Sequence, residues 1–437
     1  MSSTTNSKNI QVAIVGGGVC GLTCAIALTK HGVPVQVYEA AAHFGEIGAG
    51  LGIGANAVKI LFELGLVQDI VQRSEEADKE RPSGWFQFLS GQEGHELIYD
   101  YPLRDKEGSI AIHRAAFLDA LVHYIDPQLV HFHKRCTEVV QSGSKVTIKF
   151  ADGSDATADV VLGADGVKSA VRGAVLGKDA NSVLSFSNTV CYRALIPTEL
   201  AQKSGVTRDY RKRPICYGER WSDFMFFIGT YSPAHILWQI NIVAFVANHD
   251  KAIGEENIPP DAPRVVPVDT ETLVKEYQGW GNEVTTLLSC AKEPSKWIID
   301  VVHPPLQSYV KGRVALLGDS AHAMLPHLGA GSGQGIEDAE MLTKLLSHPQ
   351  TTAQNVEEVL KAYDEVRRPR AQSVWEGSVR SGSIADMHGP SGTSKEALCK
   401  DLPGMWDFVW RHDLGADVQQ AVHTLQQRHV FTQHALM

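Results

Sequence analysis

The chain has 437 residues, 43% of them hydrophobic and 21% charged. That suits two or three domains, or one large α/β core with insertions, and it excludes collagen, coiled coil and disorder. A net charge of -10 without a Lys/Arg stripe argues against nucleic acid as a partner, and no apolar run is long enough to predict a membrane span. Seven cysteines, scattered without a CxxC pair, speak against a disulfide framework or a zinc site and predict a reducing compartment. The polar opening MSSTTNSKN lacks the apolar core of a signal peptide, so the expected location is cytoplasmic.

From Ile10 to Val15 a short β-branched run ends in glycines, which predicts a buried parallel strand. GLTCAIALTKHG follows with Leu22, Ile26 and Thr29 at helical spacing and Gly32 placed to stop the helix. Val33 to Glu39 is the next strand, so the chain opens with a βαβ unit. The charged run from Arg73 to Pro82 reads as a solvated helix end and loop. His113 to Ile125 predicts an amphipathic helix, Lys145 to Ser154 a strand running into an Asp-Gly turn, and Ala158 to Gly166 another buried strand. From about 186 to 300 the texture turns to β-rich pieces such as SDFMFFIGTYS and ILWQINIVAFVA, separated by turn residues and the Pro-rich IPPDAPRVVP. Gly312 to His322 returns to the buried-strand pattern, and helical stretches continue to the C-terminus.

GGGVCG places Gly16, Gly18 and Gly21 in the G-x-G-x-x-G spacing between strand and helix. The tight turn, the close approach of backbone to a pyrophosphate and the packing of helix on strand each require a glycine. Glu39, about 20 residues further on, ends the second strand where an acid accepts ribose hydroxyls. These features admit NAD or FAD. The choice is made by GDSAHAMLPHLGAGSGQGIEDAEML, from Gly318 to Leu342, a second glycine-rich loop before a helix. A helix N-terminus there suits the negative charge of a reduced isoalloxazine, with Asp319 accepting a ribityl hydroxyl. Asp319, Ser320 and His322 also invite a hydrolase or metal reading. GDSAH, however, offers neither a G-x-S-x-G elbow nor a separately positioned base, and His322 and His327 lack metal-ligand spacing. No metal is expected, and His322 is expected to be a packed, hydrogen-bonded residue.

The blocks VAIVGGGVCGL, EIGAGLGIGANA, HRAAFLDAL, GADGVKSAVR, GDSAHAMLPHLGAGSGQGIEDAEML and YDEVRRPRAQSV, in that order, resemble the salicylate-hydroxylase-like FAD-dependent aromatic monooxygenases, single-component enzymes of the para-hydroxybenzoate-hydroxylase fold. The resemblance implies an α/β protein with a Rossmann-type FAD-binding domain at 9–185, part of 80–110 serving the substrate side. It further implies an inserted β-sheet substrate domain at 186–300, a return to the FAD domain at 301–385 and a helical C-terminal region at 386–437. Carried over residue by residue, it puts Gly16, Gly18 and Gly21 at the pyrophosphate and Glu39 at the adenosine ribose. Gly52 and Arg114 then lie along the FAD, Asp319 at the ribityl chain, and Gly331 and Ser332 near the isoalloxazine. Asp165, in GADG, lies by the FAD and is associated with use of NADH or NADPH.

Arg193 in VCYRALIP is the expected substrate anchor, since a guanidinium grips a carboxylate or phenolate in bidentate fashion and relatives have a substrate-contacting Arg in this block. Where many relatives have Tyr-Pro, this chain has Phe226 or Phe227, leaving Tyr231, Tyr217 and Trp238 as aromatic candidates. Pro326 is expected at the flavin edge, shaping the face that meets oxygen. The expected activity is NAD(P)H- and O2-dependent hydroxylation of a phenolic or amino aromatic acid, with or without loss of the carboxylate, by a monomer or homodimer. Epoxidases, kynurenine-type hydroxylases and polyketide phenol hydroxylases share the fold. A halogenase is disfavoured by the lack of W-x-W-x-I-P, and relatives that bind prenylated GTPases have no need of both glycine loops.

Overall fold

The computed structural model describes residues 9–45, 50–70, 84–102, 110–177, 179–210, 214–218, 223–232 and 237–432, with backbone alone at 50, 84–85, 110–113, 223–232 and 237–238. The charged run at 73–82 and the first residues of EIGAGLGIGANA lie outside the described residues.

Strand β1 (Val12–Val15) is buried on both faces, as its apolar run requires, and pairs in parallel with β2 (Val35–Tyr38) and with β11 (Val160–Gly163). With β7 (Val130–His131), β18 (Val310–Lys311) and β19 (Val314–Leu316) they form a sheet in the order β18-β19-β11-β1-β2-β7. Helix α1 (Val19–Lys30) crosses from β1 to β2, and the turn after it is closed by Gly32 at φ +72°. Strands β3 (Gly50–Ile53) and β6 (Ile110–His113) form an antiparallel pair leading into α2 (Ala55–Glu63) and α3 (Arg114–Val122). The helix expected over 113–125 is thus shorter: His113 still belongs to β6, and Asp126-Pro127 draws the chain into a new turn after Val122. Strands β8 (Cys136–Ser142), β9 (Lys145–Phe150) and β10 (Asp155–Ala158) make a small antiparallel sheet, with Gly153 at φ +83° in the Asp-Gly turn.

The second large sheet has the order β16-β17-β12-β15-β14-β13-β4-β5. It joins β4 (Gly84–Ser90) and β5 (Leu97–Pro102) to β12 (Leu184–Pro197), β13 (Ile215–Gly218), β14 (Asp223–Ser232), β15 (Leu237–Ala247), β16 (Val265–Pro267) and β17 (Ser295–Val302). Because side chains alternate along a strand, its two faces have different neighbours. The back face carries Tyr192, Ala194, Ile196 and Ile242 into a core shared with Leu273 of α6 (Thr270–Glu276) and Leu287 of α7 (Asn282–Ser289). The front face carries Cys191 and Phe245 against Leu328, Trp406 and Val409. Two helices, α9 (Gly331–Ser347) and α10 (Val356–Ala385), pack across the core of the first sheet, and α13 (Leu414–Gln427) lies against them. Between β19 and α9 comes one short helical turn, α8 (Asp319–His322). No helix among the described residues is long and apolar enough to cross a membrane.

Candidate functional site

A cavity of about 320 Å³ opens at the C-terminal ends of β1, β2 and β11, the place where a doubly wound sheet leaves a crevice. Its lining brings together Gly16, Gly18, Glu39, Arg114, Asp165, Asp319 and Ser332, drawn from six separate segments of the sequence. The glycines of the first loop play different parts. A Cβ on Gly16, at φ +105°, would lie 2.3 Å from the Ala164 carbonyl oxygen, and one on Gly21 would lie 2.0 Å from that of Gly16. On Gly18 it would meet nothing within 4 Å, so that backbone borders open space. Helix α1 starts from Gly18 without a side-chain cap, whereas α6 and α13 are capped by Asp269 and Asp413. The N–H groups of the first turn of α1 thereby face the cavity as an anion site.

Glu39 is held in place by two backbone amides: Gly17 N donates to Oε2 at 2.6 Å and Ala41 N to Oε1 at 2.7 Å. A carboxylate has lone pairs left for ribose hydroxyls after those two bonds. Asp165 Oδ2 accepts from Ala170 N (2.7 Å) and Val171 N (3.1 Å), while its Oδ1 has no hydrogen-bond partner among the described residues. Burial pushes the Asp165 carboxyl above the usual carboxylate range, against the pull of hydrogen bonds from Ser169, Val171 and Ala170. Asp319 begins α8, which leaves the strand through Gly318 at φ +63°. Ser332 stands in the first turn of α9, another helix start without a side-chain cap. Gly331 precedes it, and a Cβ there would come only to 3.9 Å from Asp319 Oδ1. Gly52 pairs with Ala111 across β3 and β6 and is not among the lining residues.

The group Asp319-Ser320-His322 separates in three dimensions. Ser320 is buried, with Oγ donating to the Gly163 carbonyl at 2.5 Å, so it is a tie between α8 and β11 and no nucleophile. His322 is buried with Nε2 2.6 Å from Asp338 Oδ2, and no group of three metal-binding side chains is present among the described residues.

The pattern of the family described as FAD binding domain matches residues 9–183 and 285–378. Salicylate hydroxylase of Pseudomonas putida is 36% identical over 425 residues, 95% of either chain. The chain belongs to the salicylate-hydroxylase-like FAD-dependent monooxygenases. Another relative, 6-methylsalicylate 1-monooxygenase of Aspergillus terreus (strain NIH 2624 / FGSC A1156), is 35% identical over 85% of this chain and 82% of its own. A solved salicylate hydroxylase substrate complex superposes with a TM-score of 0.83 at 31% identity, covering 95% of this chain and 98% of the other. The flavoprotein is an oxidoreductase that uses FAD with NAD(P)H as reductant. Its cavity fits the cofactor on its own terms: bare backbone at Gly18 and an uncapped helix start line it, with the Asp165 carboxylate beside them.

Sequence reasoning missed several lining residues of this flavoenzyme, among them Tyr38, Lys134, Arg135 and Lys168. Lys134 reaches the cavity because β7 lies beside β2, which brings the Lys-Arg pair after His131 next to Glu39; its Nζ is 2.7 Å from Asp152. Adjacency of β7 and β2 cannot be read from a single strand's pattern.

The substrate-side candidates are dispersed. Arg193 is on the front face of the large sheet, opposite Val243 in the β12–β15 register and two residues from Cys191, with its guanidinium 5.5 Å from the centre of the Trp297 ring. Burial lowers its pKa below the usual guanidinium value, and the like charge of Arg114 acts the same way. Pro326, itself exposed, begins a single turn whose next residue, His327, is buried and packs its ring 4.6 Å from that of Phe245 on the same front face. Burial depresses the His327 pKa, so its imidazole is neutral at pH 7. Tyr217 is corrected to a core residue: it is buried on the back face with its hydroxyl 3.1 Å from that of Tyr210. Tyr231 and Trp238 pair across β14 and β15, and their side chains lie outside what is described.

Proposed function

We propose that the protein hydroxylates a phenolic or amino aromatic carboxylic acid of the salicylate, 4-hydroxybenzoate or 4-aminobenzoate type, placing oxygen on the carbon that bears the carboxylate and releasing CO2. The observation that carries this is Arg193, a guanidinium set among aromatic and apolar groups on the front face of the sheet, over Trp297 and opposite Val243. Such a setting recognises a flat anion through bidentate hydrogen bonds and stacking. The names of the relatives support the same class of acid: salicylate in one, 6-methylsalicylate in the other.

In this reading Gly16, Gly18 and Gly21 shape the pyrophosphate loop, Glu39 takes the adenosine ribose, Gly52 and Arg114 flank the cofactor, and Asp165 borders it. Asp319 takes the ribityl chain, and Gly331 and Ser332 meet the isoalloxazine. Bound FAD supplies the chemistry of accepting a hydride from NAD(P)H and activating O2, one oxygen atom going to the ring and the other leaving as water. The chain's tasks are orientation and exclusion. Arg193 fixes the ring through its acid or phenolate, Tyr231 and Pro326 bound the same chamber, and the apolar front face keeps water from the reacting carbon. A phenolate or amine ortho or para to the carboxylate enriches the carbon that bears it, and loss of CO2 then restores the aromatic ring. The reading extends to a monomer or homodimer in the cytoplasm, a setting favoured by the free state of all seven cysteines.

Incubation with NAD(P)H, O2 and carboxyl-labelled salicylate, 4-hydroxybenzoate or 4-aminobenzoate, with the gas trapped, tests it. The expected result is NAD(P)H oxidation stimulated by one of the acids together with labelled CO2. Turnover with all label retained in solution removes the decarboxylative step and leaves simple ring hydroxylation.

A further inference from the structure

Beneath the second glycine loop lies a buried ion cluster whose members are not among the residues that line the cavity. Asp338, two turns into α9, accepts from Gly318 N at 2.9 Å and from Arg367 Nε at 2.8 Å, in addition to its contact with His322. Arg367, on α10, also donates to Glu337 Oε2 (2.6 Å) and to the Gln334 carbonyl oxygen (3.1 Å) in the first turn of α9. Glu337 Oε1 accepts from Asn56 Nδ2 at 2.6 Å, and Arg370 closes the ring of charges 3.2 Å from the same carboxylate. Arg367 and Asp338 are fully buried, and Glu337 is 1% exposed. Three segments are thus tied to one guanidinium: the turn that presents Asp319, the turn that presents Ser332, and the start of α2.

Two carboxylates face two guanidiniums, so the cluster is neutral when His322 is uncharged. Burial by itself would raise the Asp338 carboxyl, but Arg367 and His322 overcome it and hold the group at about 2. Glu337 is likewise held low against its burial by Arg367 and Arg370. The two carboxylates therefore stay ionised beside Arg367 at neutral pH. Well-packed apolar side chains would hold these helices together at least as firmly as a buried ion pair does, so a structural need alone does not account for the charges. What the ions add is a fixed geometry for the Gly318 amide and the first turn of α9, and a fixed balance of charge close to it.

We propose that the Asp338–Glu337–Arg367–Arg370 cluster is a positioning and charge-balancing device for the flavin end of the site, setting the reduction potential of the bound cofactor. It rests on the reading that the isoalloxazine lies at the N-terminal end of α9. Reduction adds negative charge there, and charges buried in a low-dielectric interior are felt over longer distances than charges in water. Removing an anion leaves an excess positive charge and favours the reduced flavin; removing a cation does the reverse.

The test is spectroelectrochemical titration of FAD-loaded variants in the absence of substrate. D338N and E337Q are expected to raise the midpoint potential and R370Q to lower it, each by about tenfold in the reduced-to-oxidised ratio, which is about 30 mV for a two-electron couple. R367K retains the charge and is expected to stay near the parent potential while binding FAD more weakly. Shifts of one sign in both classes, or no shift in either, overturn the proposal, because a purely structural role gives no dependence on the sign of the charge. If D338N does not fold, E337Q and R370Q, the latter at the rim of the cluster, decide between the same outcomes. Gly331→Ala tests the placement of the ring separately, since a methyl there clashes with nothing in the protein. An altered visible spectrum of bound FAD is expected. An unaltered one removes the ring from α9 and the proposal with it, whereas an altered one with inert charge variants overturns the cluster's role alone.

Discussion

The cofactor cavity and the front face of the large sheet are both lined by side chains and backbone from distant parts of the chain, yet they are built in opposite ways. Around the cavity a large part of the working surface is main chain: the loop from Gly16 to Gly21, the uncapped starts of α1 and α9, and two amides holding Glu39. On the front face it is side chains: Arg193 over Trp297, His327 against Phe245, and the apolar wall of Leu328 and Trp406. A main-chain site tolerates few residue types, because any Cβ fills the space a ligand or a neighbouring backbone needs. A side-chain site can change its occupants without changing its fold. That difference explains why one cofactor is shared across the family while the aromatic substrates named for its members differ.

The largest effects should come from the glycines, and they should divide. Gly16→Ala and Gly21→Ala drive a methyl group into backbone oxygen atoms at 2.3 and 2.0 Å. Each should cost about 3 kcal/mol of stability or more, read as a lowered urea midpoint, with FAD lost as well. Gly18→Ala should leave apoprotein stability within about 1 kcal/mol, because the methyl meets nothing, and yet should abolish tight FAD binding. Equal behaviour of all three variants would mean that Gly18 does not face the cofactor.

Arg193→Ala should separate the two regions, raising KM for the acid by a factor equivalent to about 2–5 kcal/mol while bound flavin is retained. Release of FAD from this variant would place Arg193 in the cofactor's network. Glu39→Ala and Asp319→Ala should do the reverse, weakening FAD by about 1.5–3 kcal/mol each, a loss of roughly ten- to hundredfold, in titrations of apoprotein. Smallest of all, Ser320→Ala should keep turnover and lose about 1 kcal/mol of stability, since its hydroxyl bonds only backbone carbonyls, those of Gly163 and Leu317. Loss of activity in a folded, FAD-loaded Ser320→Ala enzyme would reopen the question of a serine nucleophile.

What the sequence determined by itself is the part of the protein governed by short-range sterics. The spacing of Gly16, Gly18 and Gly21 between an apolar strand and a helix fixes a turn and a helix start, and Glu39 follows at the length of one βαβ unit. The same holds for the turns at Gly32 and Gly153, whose positive φ angles suit glycine. Even locally there were limits: the 113–125 helix stops at Val122 and β6 claims His113, because β6 pairs with β3, more than fifty residues earlier. Tertiary structure alone decided the rest. Tyr217 and Arg193 both sit in β strands with apolar neighbours, but sheet register sends Tyr217 to the back core and leaves Arg193 on the front. Asp338 and Arg367 are 29 residues apart, and Asn56 and Glu337 are 281 apart. In sequence these four look like ordinary charges and an amide on helices. They become one buried network only when α9 packs against α10 and α2, because burial and partner choice depend on which faces meet, and no local pattern of residues encodes that.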